Sequence, residues 1–229
     1  MRWYAVKAIP VRNGPPVRRH VFSPKLNVTP VKLVLASTSP YRAELLQRLG
    51  MPFEVIDPGV DESLNPGESA AERALRLAKL KATAPGALPG LVIGSDQVAS
   101  LNGQILHKPV TPDVAVSQLK LCSGQTVTFF TAVCVMSADP AWRGERLVTY
   151  EVTFRDLLLE EIERYVELDA PLDCAGSFKW EALGITLFKE MRGSDPTALE
   201  GLPLIALCEL LREAGLSLPL GSQSVERQL

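Results

Sequence analysis

Apolar and polar positions fall into regular patterns only from Val31 onward. Lys32–Ala36 is a short apolar run of the length and composition of a buried strand. Ser39 follows as a helix N-cap, Pro40 stands at the first helical position, and Leu45, Leu46 and Leu49 supply an apolar face. Phe53–Ile56 predicts a second strand. Over Glu68–Ala84, Ala71, Ala74, Leu75 and Ala78 recur at three-and-four spacing, which predicts a helix burying those four side chains. Leu91–Ile93 reads as a buried strand running into Gly94-Ser95-Asp96-Gln97, with the aspartate at its end. Thr111-Pro112-Asp113 opens another helix, proline in its first turn and an acid at its positive end. Thr126–Met136 is a β-rich stretch. Val148, Tyr150, Val152 and Phe154 then alternate with Thr149, Glu151, Thr153 and Arg155, a strand with one buried face. Helices near Glu160–Leu168 and Leu202–Ala214 complete the series. This order predicts an α/β fold over residues 31–220: a mixed twisted sheet with helices on both sides and a central cleft between two lobes.

The flanks differ. Residues 1–30 hold five prolines, six basic side chains and no acidic one, without helical or strand period. They predict a basic, Pro-rich disordered arm. An Arg-bearing, acid-free leader also suggests a transit peptide, but the prolines argue against the amphipathic helix that one needs. A native start near Val31, with the arm a mis-assigned extension, is the simpler expectation. Residues 221–229 predict a frayed tail.

The overall charge of −2 conceals the asymmetry: beyond residue 30 the chain carries 18 basic against 26 acidic side chains. A body that acidic is a poor match for a nucleic-acid polymer, whose affinity comes from Lys and Arg on phosphates. A small phosphorylated ligand needs only a few local cations. No run approaches the ~18 apolar residues of a membrane span. Cys122, Cys134, Cys174 and Cys208 are far apart in mostly apolar surroundings, and with two histidines in the chain they predict no zinc site and no disulfide framework. Four buried, reduced cysteines in a cytoplasmic protein are the expectation.

Four segments carry candidate chemistry. Ala36-Ser37-Thr38-Ser39-Pro40-Tyr41-Arg42 joins a strand to a helix, where free N–H groups, hydroxyls and an arginine make an anion site. Ser-Pro there is equally an ordinary cap. Asp96 is suited to orienting water or holding a cation, or to capping a turn. Glu62, Lys81 and Lys108 are individually the kind of charged side chain that solvent usually keeps. Cys174 to Glu181, small residues followed by aromatics and a carboxylate, reads as a base pocket or as a tight turn over the core. The chain lacks the Gly-rich signatures of P-loop kinases and dinucleotide-binding enzymes.

Taken in order, the segments are distinctive. Leu-Ala-Ser-x-Ser-Pro-x-Arg, Val-Asp-Glu, Lys81, Gly-Ser-Asp-Gln, Lys-Pro, Ala-Gly-Ser-Phe-Lys-x-Glu-Ala-Leu-Gly and Gly-x-Asp-Pro-x-x-Leu-x-Gly-Leu-Pro together resemble the Maf family of nucleotide pyrophosphatases, from about Lys32 to Gly215. The resemblance implies the Maf/ITPase-like form of the fold. It implies hydrolysis of a nucleoside triphosphate between its α and β phosphates, with Asp96 as the base that deprotonates water. Ser37, Arg42, Lys81 and Lys108 fall at phosphate-binding positions. A divalent cation, Mg²⁺ or Mn²⁺, would lie between Glu62 and Asp96. Tyr41, Gln97 and Glu181 look like the specificity set of the branch acting on 7-methyl-GTP; the thymidine/uridine branch usually has Arg at position 41 and Gln at 181. Trp180 departs from the pattern, which leads one to expect a small residue, commonly serine. Competing expectations are a dTTP/UTP or ITP-type pyrophosphatase and a non-catalytic nucleotide-binding regulator of cell division. A homodimer with an apolar interface would be normal for the fold.

Overall fold

The computed structural model describes residues 31–86, 90–138 and 141–219; the arm 1–30 and the tail 221–229 expected above lie outside the described residues. The helix starts marked in the sequence are used. α1 (Pro40–Gln47) has Ser39 as its cap, the Ser39 hydroxyl accepting from the Arg42 N–H at 3.5 Å. α2 (Ala70–Thr83) begins two residues later than the expected Glu68, because Ser69 is the cap. Ser69 accepts from the Glu72 N–H at 3.2 Å, and Glu72 in turn accepts from the Ser69 N–H at 2.9 Å. This reciprocal box satisfies two of the donors a helix start leaves open. Ser69→Ala should therefore cost ~1 kcal/mol, a fall of about 2–4 °C in melting temperature measurable by circular dichroism.

The buried stripe of α2 is rotated from the expected one. Ala74 and Ala78 are buried with Leu77, Lys81 and Ala82, while Ala71 and Leu75 lie at the margin. The remaining helices are α3 (Pro112–Cys122), α4 (Leu159–Asp169) and α5 (Leu204–Glu213).

The strands are β1 (Leu33–Ala36), β2 (Phe53–Ile56), β3 (Leu91–Leu101), β4 (Gln104–Leu106), β5 (Thr126–Ala138), β6 (Ala141–Phe154) and β7 (Phe188–Gly193). They form one seven-stranded sheet in the order β2-β1-β3-β5-β6-β7, with β4 also on β3. β1 pairs parallel with β2 and β3, and the other pairings are antiparallel. The mixed α/β sheet is as expected, but β3 corrects one reading. It does not stop at Ile93; it pairs with β5 all the way to Leu101, so Asp96 stands in mid-strand rather than at a strand end. Short β4 and β7, and 3₁₀-helices at Leu183–Leu187 and Pro196–Glu200, were not foreseen.

Two apolar cores share the long strands. One collects Leu33 and Leu35 of β1, α1, α5, Leu91 and Ile93 at the start of β3, and Val133 and Val135 of β5. The other collects Ala99 and Leu101 at the far end of β3, Val127 and Phe129 of β5, Val152 and Phe154 of β6, with α3 and α4. α2 forms a third, alanine-rich contact with Val98, Ala132 and Cys134. The lobes are thus successive stretches of the same three strands. Among the described residues no helix is long and apolar enough to cross a membrane.

Candidate active site

β1 pairs with β3 only at Leu91–Ile93, and β4 pairs with the same edge only at Ala99–Leu101. Between them Gly94–Val98, still paired with β5 on its other edge, has no strand on this edge, which leaves a notch in the sheet. A cleft of about 580 Å³ opens there, between the two cores, within the range of small-molecule sites.

Successive side chains of β3 leave opposite faces. Asp96 goes to the α2 side. There Gly94 allows unusually close packing: a Cβ on Gly94 would sit 2.3 Å from the Ala78 carbonyl oxygen and 2.4 Å from the Ala82 nitrogen. This approach brings Lys81, 5% exposed, into the cleft wall, where its Nζ lies 2.7 Å from Asp96 Oδ1 and 2.7 Å from Glu62 Oε1. Glu62 rides on the loop between β2 and α2, tied to the helix by Arg73 Nη2, which donates to the Glu62 carbonyl at 2.6 Å. Burial works to raise the Glu62 carboxyl, but the hydrogen bond and charge of Lys81, with Arg42 and Lys108, hold it below the usual range. Glu62 therefore stays ionised to lower pH than an isolated glutamate would.

Ser37 directly follows β1, and its buried hydroxyl accepts from the Ser39 N–H at 3.1 Å and from Arg42 Nη1 at 3.3 Å. Arg42 Nε donates to the Gly201 carbonyl at 2.8 Å. Burial lowers the affinity of this guanidinium for its proton, while Asp96 and Glu62 act the other way. Lys108, exposed just after β4, faces the same cleft. Ser37, Arg42, Glu62, Lys81, Asp96 and Lys108, drawn from five places in the sequence, thus meet on one wall.

Gln97 leaves the opposite face of β3. Its amide donates to the Ala198 carbonyl at 2.6 Å, and Thr131 on β5 donates to the same oxygen at 2.9 Å. It lines the cleft but stands across the strand from the Asp96 carboxylate. The Gly-x-Asp-Pro segment serves this contact. Buried Asp195 accepts from the Thr197 N–H at 3.0 Å and the Ile205 N–H at 2.7 Å, and so fixes the 3₁₀ turn and the start of α5 together.

At the other end the cleft is acidic. Gly176 and Ser177 both have left-handed backbone, φ +79° and +62°, the first where a side chain would crowd the Phe129 ring. The turn drives Phe178 into a set of edge-to-face rings with Phe129, Phe154 and Phe188, centroids 4.8–5.6 Å apart. It leaves exposed Glu181 on the cleft rim. Trp180 packs against the core and is not part of the cleft wall, so the departure from the expected small residue is absorbed by packing. Tyr41, on the first turn of α1, donates its hydroxyl hydrogen to Asp173 Oδ2 at 3.0 Å. The cysteine expectation holds in part: Cys122 and Cys134 are buried, whereas Cys174 lines the cleft and Cys208 is half-buried.

Asp173, Glu200 and Arg73 also line the cleft and were not anticipated. Asp173 directly precedes the Cys-Ala-Gly-Ser-Phe run, which was the available signal. Glu200 occupies the unspecified position of the Leu-x-Gly-Leu-Pro motif, which was its signal.

Fold and cleft define a class: an α/β protein whose interrupted sheet gathers lysine and arginine around two carboxylates, as suits a phosphorylated small molecule. Within that class the chain belongs to the Maf family, whose model, described as Maf-like protein, matches residues 32–214. Its relatives include a protein of Polaromonas sp. strain JS666, 50% identical over 89% of this chain and 94% of that protein. Another, from Pseudomonas aeruginosa, is 51% identical over 82% of this chain and 98% of its own length. A third, from Aromatoleum aromaticum, is 53% identical over 82% and 98%. Each is named 7-methyl-GTP pyrophosphatase. Among solved structures, a HAM1 protein from Coxiella burnetii aligns with 80% of this chain and 99% of its own at 17% identity, TM-score 0.47.

Proposed function

We propose that this protein is a cytoplasmic nucleoside triphosphate pyrophosphatase that hydrolyses the α–β phosphoanhydride bond of 7-methyl-GTP, giving 7-methyl-GMP and pyrophosphate. The observation that carries the chemistry is the cluster Glu62–Lys81–Asp96 in the sheet notch. The substrate is supported by the relatives' names, carried by proteins that match this chain over nearly their whole length.

Attack of water on the α-phosphorus of this anhydride gathers negative charge on the phosphoryl oxygens, so positioned cations supply most of the acceleration. Arg42, Lys81 and Lys108 are the cations of that wall, and Ser37 adds a hydroxyl. Asp96 gives one oxygen to Lys81 and leaves Oδ2 to take the proton of the attacking water. Glu62 and Asp96, converging on one ammonium, are also the oxygen donor set that a hard divalent cation prefers. Mg²⁺ or Mn²⁺ held there would neutralise charge on the phosphates. Tyr41 and Glu181 receive the base, and Gln97 sets the floor beneath it through the Ala198 turn.

Two measurements test the reading. Hydrolysis in ¹⁸O-labelled water should place the label in the monophosphate; label in pyrophosphate would mean attack at the β-phosphorus. Methylation at N7 makes guanine cationic, and an aromatic face with a carboxylate favours a cation by ~0.5–2 kcal/mol. The kcat/KM for 7-methyl-GTP should therefore exceed that for GTP by at least ~10-fold, which requires only ~1.4 kcal/mol. Glu181→Gln should shrink that ratio. Equal efficiency on the two, or better activity on dTTP and UTP, would overturn the substrate.

A further inference from the structure

The cleft is divided into two charge groups. Arg42, Lys81 and Lys108 interact with Glu62, and Arg42 also with Asp96. The second group is built around Tyr41: Asp173 acts on Tyr41 and on Cys174, Glu181 acts on Cys174, and Glu181 acts on Glu200. Two cations stand beside this second group and offset part of its charge, Arg48 at Glu200 and Lys179 near Asp173 and Cys174. Arg48 Nη2 pairs with Glu200 at 3.0 Å, and Lys179 Nζ donates to the Asp169 carbonyl at 3.1 Å. Neither lines the cleft. The side chains that line the cleft are therefore basic around Glu62 and Asp96 and acidic around Tyr41, where Asp173, Glu181 and Glu200 stand.

Tyr41 has one hydroxyl hydrogen, and it is spent on Asp173 Oδ2 at 3.0 Å. The phenol oxygen can then only accept. Loss of its proton is disfavoured by burial and by the neighbouring Cys174 and Asp173. The bond also restricts rotation of the ring, which otherwise depends on the first turn of a short helix. Asp173 is well placed as a fixed anchor. Its own backbone follows Leu172, whose carbonyl accepts from the Val110 N–H at 3.0 Å, while its carboxyl is held below the usual range: burial opposes this, but the hydrogen bonds from Tyr41, its own backbone and Cys174, with the charge of Lys179, together outweigh it.

We propose that Asp173 is a specificity-determining positioning residue: it aims the Tyr41 ring at the nucleobase and makes that end of the cleft an acceptor-only, anionic seat for a positively charged base. This rests on the nucleotide reading above and adds to it a residue outside the Tyr41, Gln97 and Glu181 set. A neutral purine gains little there, because it brings no charge for Asp173 to act on.

The experiment measures kcat and KM for 7-methyl-GTP and GTP with the wild type, Asp173→Asn, Asp173→Ala, Tyr41→Phe and the Tyr41→Phe/Asp173→Ala double variant. The ratio of the two substrates on one protein sample cancels any inactive fraction, so a partly misfolded variant still reports. Asp173→Asn keeps an acceptor for Tyr41 but removes the charge; it should lower the methylated-to-unmethylated ratio by at least about 5-fold, carried by KM for 7-methyl-GTP. Asp173→Ala removes charge and anchor and should lower the ratio further. In the Tyr41→Phe background the Asp173→Ala effect should shrink, because the bond is already gone. A wild type that prefers 7-methyl-GTP, with both Asp173 variants keeping that preference, overturns the role of Asp173 alone. A wild type without any preference overturns the substrate reading and the role of Asp173 with it.

Discussion

Replacing Asp96 by asparagine is expected to lower kcat by ~10²–10⁴-fold, the usual worth of a positioned general base. The amide occupies the same space and still offers an oxygen to Lys81, but it cannot accept the proton of the attacking water. Lys81 also keeps its second partner, Glu62 at 2.7 Å, so the buried ammonium is not left alone. That matters because stranding a buried charge is what makes such substitutions unfold proteins. β3 itself is held by its ladder to β5, which uses backbone groups and not the carboxylate. The loss should therefore appear in kcat more than in KM, with a native circular dichroism spectrum. An asparagine variant with wild-type turnover would remove Asp96 from the role of base.

Gly94→Ala is expected to be the most damaging small substitution in the sheet. The added methyl would meet backbone atoms of α2, the Ala78 oxygen at 2.3 Å and the Ala82 nitrogen at 2.4 Å, and backbone cannot step aside as a flexible side chain can. Relief requires α2 to lift from β3 and β5, opening the contact of Ala74, Ala78 and Ala82 with Val98, Ala132 and Cys134. Overpacking of this kind costs about 3 kcal/mol, or roughly 6–12 °C in melting temperature for a chain of this size. The same lift draws Lys81 away from Asp96, so the fraction that folds should be impaired in catalysis as well. A melting temperature within about 2 °C of wild type would show that the close approach is not needed.

Much of this was legible because it depends on local chemistry. Ser39-Pro40 and Thr111-Pro112 fix helix starts whatever surrounds them; Ser69 with Glu72 is a signal of the same kind that was passed over, so α2 was expected two residues early. The length of β3 was not legible. Gly94-Ser95-Asp96-Gln97 looks like the end of a strand, yet pairing to β5 and hydroxyl or amide bonds to the 196–201 turn keep those residues extended. A signal for the hairpin after it was present but passed over: Asn102-Gly103, both left-handed at φ +50° and +86°, is the preferred two-residue turn between paired strands. For the site, ordered motifs placed Arg42, Glu62, Lys81 and Asp96 as a set. Asp173 and Glu200 stand beside or inside quoted motifs, but their partners, 132 and 152 residues away, leave no periodic trace and show only in three dimensions.

Because β3, β5 and β6 run unbroken through both cores, the jaws of the cleft are not joined by a linker that could swing. A hinge needs a few residues able to absorb a large change of backbone angle. Here any such change would break rungs of two continuous ladders, Leu91–Leu101 on β5 and Thr126–Ala138 on β6. The sheet acts as a stiff leaf spring: it can flex by a small increase of twist, but it cannot fold shut. The spacing between the phosphate wall and the base seat is accordingly set before any ligand arrives, and a nucleotide of the wrong length meets a ruler that does not stretch.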